Sequence, residues 1–139
     1  MAQPQKLAGY EKYQHFVVTS PAAFVAHIEV NRPSKLNAFY DAMWLEMRDI
    51  FGQLSSDPEV RAVVLSGAGD RAFTAGLDVT AASQNGVLSN GDGLDGARKA
   101  AQLRRYIAEF QDCISAVERC EKRRHSDHLT TTATSTVKC

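Results

Sequence analysis

The segment VRAVVLS, residues 60–66, is almost entirely apolar and β-branched. Such a run is the signature of a strand buried on both faces in a parallel sheet. A parallel neighbour cannot be reached through a tight hairpin; it needs a crossover of roughly a dozen residues or more. The residues upstream supply one. Residues 15–30 read as two strands, HFVVTS and FVAHIEV, with a turn at Ser20-Pro21. In the second, Phe24, Ala26, Ile28 and Val30 alternate with Val25, His27 and Glu29, which predicts an antiparallel hairpin with one wet face and His27 exposed on it. Pro33 then ends the pairing, because it carries no N–H and biases Arg32 away from helix. Met43, Met47, Ile50, Phe51 and Leu54 recur at helical spacing, predicting a helix over residues 38–54 with Asn37 as N-cap and Ser55-Ser56-Asp57-Pro58 as the stop. Strand, helix and buried strand in this order make a βαβ crossover.

Beyond the buried strand the chain reads GAGDRAFTAGLD, with Gly67, Gly69 and Gly76 inside ten residues. Glycines so close together mark backbone that must approach something. The match of GAGDRA to a dinucleotide-binding fingerprint is a weak one. There the glycines open directly into a helix, whereas Gly76 would weaken any helix starting here. The better reading is a bare backbone facing a ligand. An N–H presented at Leu77, just before a short helix over residues 78–83, is placed to stabilise negative charge on a carbonyl oxygen. Asp78 reads either as the cap of that helix or as a catalytic carboxylate, and its spacing favours the cap.

The glycine-rich stretch NGVLSNGDGLDG, residues 85–96, has no apolar period and predicts a flexible loop; its acidic residues do not have calcium-loop spacing. Residues 97–121 predict a long amphipathic helix with Ala100, Leu103, Ile107, Phe110, Ile114 and Val117 as the buried stripe. Residues 123–139, with five threonines and no period, predict disorder.

Charge and composition narrow the function. Sixteen basic and sixteen acidic side chains give a net charge of zero, which argues against a nucleic-acid partner. No apolar stretch approaches the length of a membrane span, so a soluble, intracellular protein is expected. Cys113 and Cys120 stand seven residues apart on one predicted helix, about 10 Å and too far for a bridge. They read as buried, inert thiols. His125 and His128 lack a third ligand of matching spacing, and no metal site is expected.

Taken together, the NRPSKLNAF loop after the second strand, the amphipathic helix, VRAVVLSGAGDRAFTAGLD and a long helix ending AVERCEK resemble the N-terminal half of the enoyl-CoA hydratase/isomerase (crotonase) superfamily. The resemblance covers residues 15–122. AGLDV and the run from ARKAAQ to AVERCEK are most similar to its Δ3,5-Δ2,4-dienoyl-CoA isomerase branch, which moves the double bonds of unsaturated acyl-CoA into conjugation. It implies an α/β, crotonase-like spiral of ββα units and an acyl-CoA partner, with no cofactor beyond the CoA thioester substrate. Ala75, Gly76, Leu77, Asp78 and Val79 would line the thioester and adenine, with the Leu77 N–H as one half of the oxyanion hole. Arg32, Lys35 and Leu36 would lie along the CoA phosphate and pantetheine; without the resemblance, Arg32 and Lys35 read as two solvated loop charges. Assembly as a homo-oligomer, trimer or hexamer, and a peroxisomal or mitochondrial location are implied by the resemblance alone. The ending Val137-Lys138-Cys139 is not the Ser-Lys-Leu address.

The resemblance breaks after Lys122. Family members continue with Lys-Pro, an apolar strand, a glycine-rich turn that gives the second oxyanion N–H, and the acidic residues that shuttle the proton. The expected organisation is an N-terminal extension (1–13), the N-terminal half of a crotonase-like domain (14–122) and a disordered tail (123–139). With that half missing, residues 60–66 would leave an open apolar strand edge and the chain would be inactive alone. Glu118 and Glu121 read as helix-surface charges. Two rival functions remain, a non-catalytic interaction fragment and a dinucleotide-binding domain.

Overall fold

A computed structural model describes residues 5–84, 93 and 95–126 of the chain. A short strand β1 (Gln5–Lys6), in residues read from the sequence only as an N-terminal extension, pairs antiparallel with β2 (Phe16–Ala22), and β2 with β3 (Val25–Val30), the latter two forming as the alternating pattern dictates. After α1 (Asp41–Ser56), β4 (Ala62–Gly67) pairs parallel to β3, with Ala26 opposite Val63 and Ile28 opposite Leu65. This is the expected crossover, and β2, β3 and α1 make one ββα unit. Two further helices, α2 (Val79–Gln84) and α3 (Gly96–Arg119), lead to β5 (Arg123–Ser126), parallel to β4 at the edge of a sheet ordered β1-β2-β3-β4-β5.

The core lies between one face of this sheet and α1. Phe16 and Val18 from β2, Ala26, Ile28 and Val30 from β3, and Val63 from β4 meet Met43, Met47, Ile50, Phe51 and Leu54. Both periods agree, two along the strands and 3.6 along the helix, so each element buries one stripe against the other. Tyr10 belongs to the same core and donates its hydroxyl to Asp57 at 3.0 Å, so the segment before β2 is folded onto the sheet.

Four details differ from the sequence expectation. The hairpin turns at Ala23-Phe24, with Phe24 at φ 63°, and not at Ser20-Pro21. Pro21 instead sits at a register shift in β2, beyond the last residue that β1 pairs, where a missing N–H costs no ladder bond. The Arg61 guanidinium stacks 4.1 Å from the Phe24 ring centroid, and the Arg61 and Ala62 amides donate to the Phe24 carbonyl. Second, α1 starts at Asp41, because Phe39 is held in an extended bridge with Leu77 and Tyr40 is the extended N-cap; Asn37, at left-handed φ, is not the cap.

Third, the buried face of α3 is rotated from the predicted stripe. Cys113 is fully buried, Leu103, Phe110 and Val117 are half-buried, and Ile107 and Ile114 are exposed. The helix packs along α1 rather than on the sheet, so its apolar surface meets a narrower partner. Cys113 and Cys120 are buried free thiols, as expected, and burial pushes the Cys113 thiol above its ordinary value.

Fourth, the first residues of the expected disordered tail form β5. Its backbone pairs with β4 from Ala62–Arg123 to Leu65–Ser126, so β4 is flanked on both sides over those four residues. A strand ladder is made by backbone groups, and polar side chains suit the outermost strand; lack of apolar period in RRHS therefore did not exclude pairing. The rest of the tail, residues 127–139, and most of the glycine-rich loop lie outside the described residues. Among those described, no helix is long and apolar enough to cross a membrane, and no three His, Cys, Asp or Glu side chains gather as a metal site.

Candidate functional site

Two loops leave the same end of the parallel strands and are stitched together: residues 31–40 after β3 and residues 68–78 after β4. The stitch is mostly backbone. Ala75 N–H donates to Leu36 O at 2.9 Å, Phe39 N–H to Gly76 O at 2.7 Å, and Asp78 N–H to Phe39 O at 2.8 Å. The last two make a one-residue parallel bridge between Phe39 and Leu77.

Asn37 is the polar centre of the junction. It is fully buried at φ 55°, a conformation Asn tolerates better than most residues. Its Oδ1 accepts from the Arg32 N–H at 3.0 Å, and its Nδ2 donates to Ala68 O at 2.9 Å and Ala72 O at 3.0 Å. Thr74 Oγ1 donates to Asn37 O at 2.7 Å and accepts from the Gly76 N–H at 3.1 Å. Gly67 is fixed by closeness: a Cβ there would stand 2.3 Å from Phe73 O and 2.8 Å from Asn37 Nδ2. Gly76, at φ 87°, is the residue type that the turn into Leu77 requires.

The consequence falls on one amide. In the run from Ala75 to Asp78, the N–H groups of Ala75, Gly76 and Asp78 all have acceptors, while that of Leu77 donates to no described residue. The Leu77 and Val79 side chains are exposed around it. No helix opens at Gly67 or Gly69, against the geometry of a dinucleotide fingerprint; the next helix is α2, at Val79.

Asp78 caps α2. Its Oδ1 accepts from the Ala81 N–H at 3.0 Å, and its Oδ2 pairs with Arg32 Nη1 at 2.8 Å. Its carboxyl is held below the ordinary carboxylate value, first by the Ala81 N–H and then by Arg32, with Lys35 adding a smaller electrostatic pull. Arg32 is accordingly not a solvated charge. Lys35 is exposed and forms no ion pair with a described residue, on a one-turn 3₁₀ segment Pro33–Lys35 that ends at half-buried Leu36. Of the eight residues singled out from the sequence, Ala75 to Val79 form one continuous rim, joined to Leu36 by backbone and to Arg32 by the ion pair.

Sequence reasoning missed the residues that hold the rim. Asn37 lay inside the NRPSKLNAF motif but read as a cap, and Thr74 lay inside FTAGLD without a role. His15, Tyr40 and Glu46 gave no signal, since His15 stands 25 residues or more from the other two and no motif spacing links them. His27, expected to be exposed, is half-buried, with Nε2 2.7 Å from Ser66 Oγ on the opposite sheet face.

The sequence and the fold are similar to those of known proteins. Residues 21–119 match the family model described as enoyl-CoA hydratase/isomerase. The mitochondrial Δ(3,5)-Δ(2,4)-dienoyl-CoA isomerase of Homo sapiens is 40% identical over 110 residues, 79% of this chain and 33% of that protein. The peroxisomal Δ(3,5)-Δ(2,4)-dienoyl-CoA isomerase of Arabidopsis thaliana is 38% identical over 98 residues, 70% of this chain and 34% of that protein. The chain thus spans about a third of the length of the curated relatives it matches. Among solved structures, an enoyl-CoA hydratase/carnithine racemase from Magnetospirillum magneticum superposes with a TM-score of 0.68 at 21% identity, covering 86% of this chain and 40% of that one, a likeness of fold. With the ββα unit, the joined loops and a family match across most of its described length, the chain belongs to the enoyl-CoA hydratase/isomerase family.

Proposed function

We propose that this chain holds the CoA thioester in a dienoyl-CoA isomerase of the family, with the Leu77 N–H donating to the thioester oxygen. The observation that carries the reading is the Leu77 amide: the N–H groups of Ala75, Gly76 and Asp78 around it are bound, while its own finds no acceptor among the described residues, just after a glycine at positive φ. Such a donor stabilises the enolate oxygen that forms when a proton leaves the carbon beside a thioester carbonyl, and it needs no reorganisation to do so. Lys35 supplies the cation for the CoA phosphates, Leu36 packs on the pantetheine arm, and Ala75 to Val79 line the thioester and adenine. The reaction by resemblance is conversion of 3,5-dienoyl-CoA to 2,4-dienoyl-CoA, in a trimer or hexamer, in the peroxisome or mitochondrion.

The 139 residues alone bind without appreciable turnover on this reading. One donor is in place, and the carboxylate next to it, Asp78, is committed to α2 and Arg32. Loss of one oxyanion donor costs about 10²–10³ in rate, and loss of a general acid/base roughly 10²–10⁴. A second reading, a non-catalytic interaction fragment, draws support from β5, which pairs with four residues of the β4 edge that the chain was expected to leave open.

Calorimetry of the purified chain with acetoacetyl-CoA and with NADH tests the main reading. Saturable binding of the CoA ester alone is expected, with growth of the near-ultraviolet enolate band. Leu77→Ala should keep that band, because it keeps the N–H, while Leu77→Pro should abolish it. NADH binding, or an enolate band indifferent to Leu77→Pro, would overturn the assignment.

A further inference from the structure

Arg32 falls where the resemblance places a CoA phosphate contact, yet its guanidinium is turned inward. Nη1 donates to Ala38 O at 2.8 Å as well as pairing with Asp78 Oδ2, which uses both of its hydrogens. The guanidinium carbon lies 4.9 Å from the centroid of the Tyr40 ring, so one of its faces is covered as well. Two charge-assisted bonds and a stacked ring leave Arg32 little freedom, and its charge is already matched by Asp78.

Behind Tyr40 stands a second line of support. The Tyr40 hydroxyl meets His15 Nε2 at 2.5 Å, and the two rings pack edge to face, 5.2 Å apart at 89°. On its other side His15 Nδ1 lies 2.9 Å from Glu46 Oε1. The carboxylate of Glu46 also accepts the N–H groups of Gln14 at 3.3 Å and His15 at 3.0 Å. With Nδ1 donating to Glu46, Nε2 is left to accept the tyrosine proton, so each group is oriented by the next. Glu46 sits on α1, His15 just before β2, Tyr40 at the start of α1 and Asp78 at the start of α2. The row therefore ties the rim to the packed body of the protein.

We propose that Arg32 is a positioning residue for the Leu77 amide and not a phosphate ligand, and that Glu46, His15 and Tyr40 are the props that hold it there. This rests on the oxyanion role proposed for Leu77. Two adjacent residues do the aligning. Phe39 clamps Gly76 and Asp78 through its backbone, and Tyr40 carries the guanidinium that grips the Asp78 side chain. Leu77 lies between the two clamped residues, so its N–H direction follows from theirs. Alignment of such a donor is where rate is lost, since displacement by about 1 Å can cost on the order of 10².

The rival is that the remaining Nε and Nη2 hydrogens of Arg32 reach a CoA phosphate. Arg32→Lys, Tyr40→Leu and Glu46→Gln, with Lys35→Ala as the contrasting variant, separate the two on the full chain. Three readouts are needed: affinity for CoA and for 3′-dephospho-CoA, the enolate band of bound acetoacetyl-CoA, and hydrogen exchange of the amides of residues 75–82 without ligand. Arg32→Lys and Tyr40→Leu should weaken the band about tenfold. CoA affinity should stay within about twofold, and exchange should quicken at residues 75–82; Glu46→Gln should do the same more mildly. Lys35→Ala should show the converse, weaker CoA binding and an unchanged band per bound ligand. Loss of CoA affinity in Arg32→Lys that vanishes with 3′-dephospho-CoA would overturn the proposal. So would unchanged exchange at residues 75–82 in the Arg32 and Tyr40 variants. Should the unaltered chain bind no CoA ester, the oxyanion reading fails, while the exchange measurement still decides whether the row holds the rim.

Discussion

The two sides of the β3–α1–β4 crossover are held by different forces. Under α1 the contacts are apolar: Ile28, Val30, Met43, Ile50, Phe51, Leu54 and Val63 are all but inaccessible. At the loop end, Asn37, Thr74, Arg32 and Asp78 join two segments through hydrogen bonds and one ion pair. Apolar burial is proportional to area and indifferent to direction, whereas each polar bond fixes a donor against one acceptor. The first side makes the chain fold; the second decides where a single amide points. Changes on the apolar side should therefore cost stability broadly, and changes on the polar side should cost the rim first.

The largest effect is expected for Phe51→Ala. The ring is 1% exposed at the centre of the core, and its removal should cost about 3–5 kcal/mol, read as a drop in the urea midpoint of the whole chain. For a domain of ordinary marginal stability this approaches unfolding.

Asn37→Ala comes next. It strands the carbonyls of Ala68 and Ala72 and the N–H of Arg32, and an unsatisfied buried group costs about 1–3 kcal/mol. It also leaves alanine at φ 55°. Chemical denaturation gives the total. Exchange at residues 75–78 should rise well above that in Phe51→Ala matched for stability by temperature. Equal exchange in the two variants would erase the distinction between the sides.

How far the sequence could be read follows the same division. Strands β2 and β3, the crossover and the five buried residues of α1 were legible because burial leaves a period in the sequence, two for a strand and 3.6 for a helix, and β4 because its run is almost wholly apolar. The start of α1 at Asp41, three residues later than its period suggests, was not, since Phe39 is drawn into a bridge with Leu77 of the partner loop. Nor was the choice Asn37 makes among acceptors, because Ala68 and Ala72 are more than thirty residues away and offer only backbone. β5 was invisible for a related reason: RRHS pairs through its peptide groups, and its side chains record nothing of it. The turn before Leu77 was the exception in its conformation. A glycine at positive φ there leaves a mark that needs no partner to be seen.

A smaller effect is expected from acid. The Asp78 carboxyl is held below its ordinary value of 3.8 by the Ala81 N–H and Arg32. A depressed carboxylate contributes its stability above the unfolded value, and that contribution is lost as pH falls through the folded one. α2 and the rim should therefore stay ordered from neutral pH down to about 4 and loosen below it. Exchange or nuclear magnetic resonance shifts of Val79–Gln84 would report this, and Asp78→Asn should flatten the response. A response that survives Asp78→Asn would move the acid sensitivity to another carboxylate.

The smallest effect is expected on α3, which is apolar in pattern but half open in fact. Ile107 and Ile114 are 44% and 45% exposed, whereas Cys113 beside them is 1% exposed against α1. Periodicity reports which residues share a face, but the width of the partner decides how many are covered. α1 is sandwiched between sheet and α3, and it buries five side chains completely; α3, although eight residues longer, buries one. Ile107→Ser and Ile114→Ser should each change the chain's own stability by no more than about 0.5 kcal/mol, as surface substitutions do. A loss of about 2 kcal/mol or more in the urea midpoint would mean these side chains are packed in the folded chain. The apolar side of the comparison would then extend beyond α1 to the outer helix.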